Sequence, residues 1–526
     1  MNRKSKDIYG SLFRWKDFRL QIFVEGIIVG LFAGGVSVAF RYLLEKSDFV
    51  RDEIYGSIRT TGYAAAIMWF VVLVFIGLIL SKLVKIEPMS KGSGIPDVEG
   101  ILAGHLKMKW WRVILTKFVG GVLAIGAGLS LGREGPSVQL GAAAGQGVSR
   151  ILGRHRTEEK YLMTSGASAG LAAAFNAPLA GVIFALEELH KNFSPAVLMS
   201  AMAASLTAAF VTQQAFGIQP VFNFQVLNVF PLKDYLYLVG LGIVCGAFGV
   251  LFNKTLLKTL DTYDKLNVPK AFVPVIPLVI GGILGFFLPQ TLGGGNRLVE
   301  AVSQGNFTVA MLLALVAVKF LFTMASYGSG VPGGIFLPLL VVGALTGDIY
   351  GHLVINVLHI DNQYEINFIV LAMAAYFTAI VKAPITGSIL ITEMTGSFQH
   401  LLALITVSMV AYVTSDLLKG KPIYEELLAR SLAKRGSIPP AHDGEEKVIT
   451  EVAVCSGSKL DGKLIKNIDW PDHCLLISVK RGVSEIIPKG NTRLNAGDYL
   501  YVLASEKLAA KTKEELLVMA GECAVQ

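Results

Sequence analysis

Hydrophobic and polar positions divide the chain into two unequal parts. From residue 23 to about 429 apolar residues dominate, and stretches 23–44, 63–83, 235–256, 309–325 and 401–417 each approach the roughly 20 residues an α-helix needs to cross a bilayer core, with few ionisable interruptions. Glycine, proline and other small residues are scattered through this region more densely than a simple helical bundle needs. Broken helices are tolerated in lipid only where protein or a water-filled cavity covers the freed backbone groups, so the pattern predicts helix ends, and a site built from them, inside the membrane. Beyond Arg435 the pattern changes. Residues 436–446, with Pro439-Pro440 and polar neighbours, read as a linker. Segments 447–454, 474–480 and 498–504 alternate or run apolar like short strands, and 505–519 reads as a helix with Glu506, Lys507, Lys511 and Glu514 on its polar side. The expected organisation is a tail over 1–20, an all-α multi-pass membrane domain over 21–435, the linker, and an α+β domain over 447–526.

Composition agrees with this division. Of 526 residues, 53% are hydrophobic and 16% charged, against about 25% charged in ordinary soluble domains. Arg3, Lys4, Lys6, Arg14, Lys16 and Arg19 outnumber Asp7 and Asp17 before the first apolar stretch, which places the N-terminus in the cytoplasm by the positive-inside bias. No signal peptide is expected, because the first apolar stretch is long enough to span and lacks a small-residue cleavage site. A net charge of +8 invites a nucleic-acid reading, but the basic residues cluster beside apolar stretches, so membrane flanks explain it better. Cys245, Cys455, Cys474 and Cys523 show neither CxxC nor zinc spacing and are read as reduced. No metal site is expected.

The chain repeats itself. A shift of 202 residues carries Gly126, Gly128, Gly132, Pro136, Gly141 and Gly145 onto Gly328, Gly330, Gly334, Pro338, Gly343 and Gly347. A shift of 206 carries Ala177, Pro178, Gly181 and Glu187 onto Ala383, Pro384, Gly387 and Glu393. Single glycine matches mean little, but the ordered set with prolines and a glutamate carries weight. Internal repeats in a transporter put the substrate where the halves meet.

Three segments, Gly92-Ser-Gly-Ile-Pro96, Gly132-Arg-Glu-Gly-Pro136 and Gly334-Ile-Phe-Leu-Pro338, place glycines and a proline at the start of apolar stretches. Proline suits the first helical turn, and glycine lets the preceding backbone turn sharply. Each segment predicts a helix N-terminus, whose free N–H groups and positive dipole end attract an anion. Any one of them also fits an ordinary packing element; three together favour an anion site that binds weakly enough to release. Gly328-Ser-Gly-Val-Pro-Gly333 satisfies G-x-G-x-x-G but follows an apolar helix, not a strand, so it is no dinucleotide fingerprint.

At these residues the chain resembles the CLC chloride channels and transporters, over about residues 23–432. The resemblance implies a homodimer in the cell membrane with an anion pathway in each subunit and two halves inverted in the membrane. It implies side-chain hydroxyls from Ser93 and Tyr424, the latter in Lys421-Pro-Ile-Tyr424, and backbone amides from Gly94, Ile335 and Phe336 around a bound chloride. Serine at 93 resembles the chloride-selective members, where a nitrate-preferring branch has proline and a fluoride branch methionine. It also implies that Arg133 and Lys117 raise the positive potential of the pathway, although Lys117 fits a generic snorkelling role equally well.

Two carboxylates decide between mechanisms. Glu134 opens a helix inside the membrane, where its carboxylate can occupy a chloride's place and, once protonated, swing away; one side chain then serves as external gate and proton carrier. A surface glutamate at a helix N-terminus is the bland alternative, but an intramembrane acid is functional by default. Glu187 and Glu188 end the apolar stretch 178–186. The resemblance makes Glu188 the internal proton site of exchangers, a residue that channel members usually lack, and leaves Glu187 structural. The expected function is secondary active chloride/proton antiport, without enzymatic chemistry; a passive voltage- or proton-gated chloride channel is the alternative.

In the C-terminal part, Leu460-Asp-Gly-Lys463, residues 475–481, Ile486-Ile-Pro488 and residues 494–499 resemble the TrkA C-terminal, or RCK-C, domain. That resemblance implies a cytoplasmic dimeric module answering a small ligand, cyclic di-AMP first, with Arg481, Ile486, Ile487, Pro488 and Asn491 as candidate contacts. A passive dimerisation module remains open.

Overall fold

The computed structural model describes residues 4–191, 193–218, 220–222, 224, 229–305, 307–359, 361–435, 447–472, 474–482 and 484–521. The expected linker, 436–446, lies outside them. The chain divides into two compact units, Met1–Leu428 and Ala429–Gln526.

Among the described residues of the first unit, eight helices are long and apolar enough to cross a membrane. All five apolar stretches fall within them. The three that periodicity alone did not single out, Pro195–Phe216, Phe336–Val357 and Asn362–Val381, are also the three whose apolar windows are most covered by protein. Small and polar residues interrupt their sequences because they face other helices rather than lipid. The first helix runs unbroken from Lys4 to Thr61, so residues 4–20, ahead of the first span, are helical and continuous with it. No proline lies between those ends, so nothing in the backbone stops the helix.

The repeat is visible in the element order. Helices Lys4–Thr61, Tyr63–Ile86, Ile95–Leu102, Trp110–Gly126, Glu134–Ile151, Arg156–Phe175, Pro178–Phe184 and Pro195–Phe216 are followed in the same order by Tyr235–Lys265, Val275–Phe287, Asn296–Ser303, Val309–Gly328, Phe336–Leu358, Glu365–Val381, Pro384–Thr395 and Leu401–Leu417. Helix Ile423–Lys434 comes after both sets. Even the turns correspond. Asn176 and Lys382, 206 residues apart, cap their helices in the left-handed region at φ 54° and 70°.

Close packing is built on small residues. A Cβ at Gly141 would lie 2.0 Å from the Gly166 carbonyl oxygen, and one at Gly145 2.1 Å from that of Leu162, so helices Glu134–Ile151 and Arg156–Phe175 touch backbone to backbone. Without a hydrophobic driving force in lipid, such contacts are what hold helices together. Gly347 repeats the arrangement against Phe368 in the second half.

The second unit carries an antiparallel sheet of four strands: β1 (Lys447–Ala453), β2 (Cys474–Arg481), β3 (Ser484–Ile486) and β4 (Asp498–Ser505), in the order β1-β4-β2-β3. Helix Glu506–Ala520 follows. Period-2 alternation places Leu500 and Val502 of β4 inside, with Val452, Val479, Leu460, Leu494, Leu516 and Ala520 completing the core. One expectation fails here. Cys245 and Cys474 are free thiols, but Cys455 is disulfide-bonded. The end of the last helix returns to Cys455, whose amide donates to the Ala520 carbonyl at 2.9 Å, a proximity that sequence spacing does not reveal.

Candidate functional site

Backbone pairing brings the three glycine-proline segments together. The Gly132 amide donates to the Gly334 carbonyl at 2.7 Å, and Gly334 returns the bond at 2.8 Å. The Gly92 amide donates to Val331 at 3.1 Å, and Gly333 donates to the Gly92 carbonyl at 3.0 Å. The two exchanges therefore stitch both first-half segments to one second-half stretch, residues 331–334, which leads into the third segment. Beyond them start helices Ile95–Leu102, Glu134–Ile151 and Phe336–Leu358, with Pro96 in the first turn of the first. Gly94 caps its helix at φ 88°, and a Cβ there would fall 2.3 Å from Gln139 Oε1, so only glycine fits.

The side chains follow from this frame. Ser93 is 1% exposed, its hydroxyl lacks a hydrogen-bond partner, and it abuts Gly135, where a Cβ would come within 2.4 Å of Ser93 Oγ. Ile335 and Phe336 are fully buried at the start of their helix. The Phe336 ring packs against Phe377 at 4.7 Å, Phe175 at 5.3 Å and Phe184 at 6.1 Å between centroids. Tyr424, in the first turn of helix Ile423–Lys434, is fully buried with a hydroxyl that finds no partner. Buried hydroxyls without partners are rare in native proteins and mark a place for a missing partner.

Glu134 is fully buried at the first position of its helix. Its carboxylate faces the backbone amides of residue 134 itself and of Leu337, yet neither oxygen completes an aligned hydrogen bond. It lies directly over Gly132, where a Cβ would stand 2.3 Å from Glu134 Oε2. Arg133 donates to the Ala174 carbonyl at 3.2 Å and approaches Glu45 at 3.8 Å. Tyr424 is close enough to interact electrostatically with both Glu134 and Glu188, so the anion-site hydroxyl stands in range of both acids.

Glu188 lies on a π-helical turn, Ala185–His190, that widens the end of helix Pro178–Phe184. Such turns recur at functional sites. It is 5% exposed and Oε1 has no partner. Beside it Lys191 pairs with Glu99 at 2.7 Å and with Glu425. Sequence reasoning missed these three. The available signal was their position: Glu99 lies on the short helix that follows Ser93, and Glu425 adjoins Tyr424.

Glu187 turns the other way. Its carboxylate accepts from the Thr386 amide at 2.8 Å, the Thr386 hydroxyl at 2.7 Å and the Ile385 amide at 3.3 Å. Its repeat counterpart Glu393 accepts from Leu179 at 3.1 Å and Ala180 at 2.8 Å. Each acid thus caps the helix that carries the other.

Lys117 does not snorkel. It is fully buried, and its ammonium donates to the carbonyls of Ser90 at 3.1 Å and Gly92 at 2.6 Å, just before the Ser93 helix. Lys319, 202 residues later and also fully buried, does the same to Thr291 at 2.9 Å and Gly293 at 2.8 Å. The repeat shift held that second lysine in plain view. Tyr327, likewise not anticipated, places its hydroxyl against the Ser93 backbone.

In the second unit Arg481 is already engaged. Its Nε and Nη2 each donate to buried Asp498 at 2.7 Å, and Nη2 donates to the Arg493 carbonyl at 2.8 Å. That removes it as a free phosphate grip. Ile486 pairs with Val479 across β2 and β3, and Ile487 is 82% exposed.

Known proteins share this sequence pattern and this fold. A family model described as voltage gated chloride channel matches residues 73–416, and a TrkA-C domain model matches 449–517. The H(+)/Cl(−) exchange transporter ClcA of Yersinia pseudotuberculosis serotype IB (strain PB1/+) is 34% identical over 431 residues, covering 79% of this chain and 89% of that protein. ClcA of Vibrio parahaemolyticus serotype O3:K6 is 36% identical over 432 residues, covering 78% and 90%. The crystal structure of a slow cyanobacterial Cl−/H+ antiporter superposes with a TM-score of 0.75 at 30% identity, covering 79% of this chain and 99% of that one. A CLC-type fluoride/proton antiporter shares the fold at a TM-score of 0.65 and 23% identity. The chain is therefore a multi-pass membrane protein of the CLC, or voltage gated chloride channel, family, with a TrkA-C domain at its C-terminal end.

Proposed function

We propose that this protein is a secondary active chloride/proton antiporter, a transporter rather than an enzyme. The observation that carries the reading is a pair of buried, incompletely satisfied carboxylates, Glu134 and Glu188, in electrostatic range of one anion-site hydroxyl, Tyr424. Chloride sits among the Ser93 and Tyr424 hydroxyls and the amides of Gly94, Ile335 and Phe336. Weak dipoles, not a fixed charge at contact distance, hold it, so it can leave. Lys117 and Arg133 stand behind this shell and bias the potential. Glu134 alternates with chloride for the helix N-terminus and leaves when protonated. Glu188, beside the Glu99–Lys191–Glu425 cluster, passes protons to and from the cytoplasm.

The protein works as a homodimer in the cell membrane with both termini cytoplasmic, each protomer holding its own pathway. The C-terminal domain answers a small ligand, with cyclic di-AMP as the first to try. The names of the exchange transporters it resembles support exchange over passive conduction, as does Glu188 itself. The test is proton uptake by proteoliposomes under a chloride gradient, with no other driving force. Uphill proton movement upholds the reading; a reversal potential at the chloride Nernst value, with no proton movement, would assign a channel.

A further inference from the structure

Asp348, His352 and Glu365 lie outside the anion site, and no step of the proposed exchange uses them. Asp348 and His352 stand four residues apart on helix Phe336–Leu358, hence on one face. Glu365 opens the next helix, Glu365–Val381. That helix folds back along the first. A Cβ at Gly347 would meet the Phe368 carbonyl oxygen at 2.3 Å, and one at Gly351 the Phe368 ring at 3.2 Å. The close approach sets the first turn of one helix against the middle of the other.

Three donor atoms converge there. His352 Nε2 is 3.4 Å from Glu365 Oε1 and 3.9 Å from Asp348 Oδ1. All three atoms lie within 4.8 Å of one another. Each of these atoms is buried and completes no aligned hydrogen bond, although the Asp348 and Glu365 carboxyls stand close enough to share one proton. The Asp348 side chain is 1% exposed. A buried acceptor left without a donor costs roughly 1–3 kcal/mol, more if charged, and two such carboxylates beside each other repel. A proton shared between the carboxyls or a bound cation relieves that repulsion.

The geometry points to a site for a divalent transition-metal ion, of which Zn2+ is the type. Ligands about 2.1 Å from a tetrahedral ion stand about 3.4 Å apart, close to the separations already present. An imidazole nitrogen selects zinc-like ions over calcium and magnesium, which prefer all-oxygen shells. Two carboxylates and a neutral imidazole carry two negative charges, the number a divalent ion cancels. His352 and Glu365 are each 24% exposed, so the cluster is open on one side, which leaves room for a further ligand such as water. The ion clasps the start of helix Glu365–Val381 to the middle of helix Phe336–Leu358. No metal was expected from the sequence because cysteine spacing was the cue; here the donors come from two helices and include no cysteine.

The test uses tag-free, full-length protein stripped by chelation and titrated with Zn2+ alone against a competing indicator dye. The expected result is one tight Zn2+ per chain and a higher Tm with Zn2+ bound. Asp348→Asn combined with His352→Gln weakens binding by roughly a hundredfold or more and removes the Tm rise, while metal-free chloride flux persists and shows the variant folded. His352→Gln alone carries the same loss should the double variant not fold. Wild-type protein that takes up no Zn2+, or that binds it as tightly as the variants do, overturns the site; a protonated His352 bridging two carboxylates would give that outcome.

Discussion

At Glu134 the backbone supplies what a chloride would otherwise receive: the amides of residue 134 and Leu337 and the positive end of a helix. A neutral glutamine keeps the size but competes poorly for that place. Glu134→Gln is therefore expected to conduct chloride with proton coupling lost, read as chloride flux without uphill proton uptake in liposomes. Continued proton pumping would remove Glu134 from the gate. Ser93 belongs to the same scale. Its hydroxyl lacks a protein partner and its backbone meets the Tyr327 hydroxyl. Ser93→Pro deletes both the hydroxyl and the N–H. A hydrogen bond to a charged group is worth roughly 1.5–3 kcal/mol, so the chloride-to-nitrate preference should fall about tenfold or more in competitive flux assays. An unchanged ratio would place Ser93 outside the site. Both residues were legible in the sequence, because proline and glycine mark a helix start whatever surrounds it. The surroundings were not: Tyr327 reaches Ser93, and the Glu99–Lys191–Glu425 cluster reaches Glu188, only through tertiary contacts.

At the scale of elements, adjacent glutamates on one helix end take different parts because the last turn is π-helical. Periodicity read 178–186 as an apolar helix and could not foresee the wide turn, since a π-turn is set by packing and by one extra residue rather than by composition. Glu187 caps the helix starting at Pro384, and Glu188 faces the Glu99–Lys191–Glu425 cluster. Glu188→Gln should abolish proton coupling while Glu134 still gates chloride. Glu187→Gln should leave coupling largely intact and lower thermal stability, by the 0.5–2 kcal/mol or so that a lost helix cap removes. Equal uncoupling in both variants, compared in one liposome assay, would erase the distinction. Strands in the C-terminal unit were legible where alternation ran long; β3, three residues, was too short to signal itself. β2 and β4 are tied by Arg481 and Asp498. Burial alone would raise the Asp498 carboxyl, but the Arg481 hydrogen bonds, the Asn495 amide and the guanidinium charge outweigh it and hold the carboxyl below its usual value. Its folded pKa being depressed, Asp498 stabilises the domain above its ordinary pKa near 3.8, and that stability is lost as pH falls through the lower folded value. The difference in Tm between wild type and Asp498→Asn should shrink from pH 5 toward pH 2; a constant difference would show that the pair contributes nothing titratable.

At the scale of the whole molecule, the two units differ in what holds them. The membrane unit is stitched by glycine contacts and by backbone bonds across its two halves, whereas the C-terminal unit has a hydrophobic core of its own. The family match ends at residue 416 and the TrkA-C match begins at 449, and both ClcA relatives lie alongside less than four-fifths of this chain while spanning about nine-tenths of their own length. A transporter of this fold thus needs nothing from the appendage to form its pathway. Protein ending at Lys434 keeps Tyr424 and the helix that carries it. It should fold, reach the membrane and exchange chloride for protons at close to the full-length rate. What it should lose is any response to a cytosolic ligand. Ligand binding changes flux only by favouring one arrangement of the domain over another, so cyclic di-AMP should alter flux through the full-length protein and leave the truncated one untouched. With Arg481 held by Asp498, the binding contacts fall to other groups, and the exposed Ile487 is the one to mutate first. Isothermal titration of the fragment 447–526, alongside flux through both proteins, separates the outcomes. No binding and no change in full-length flux would leave the domain a passive module for that ligand; loss of basal exchange on truncation would make it part of the transporter's own structure.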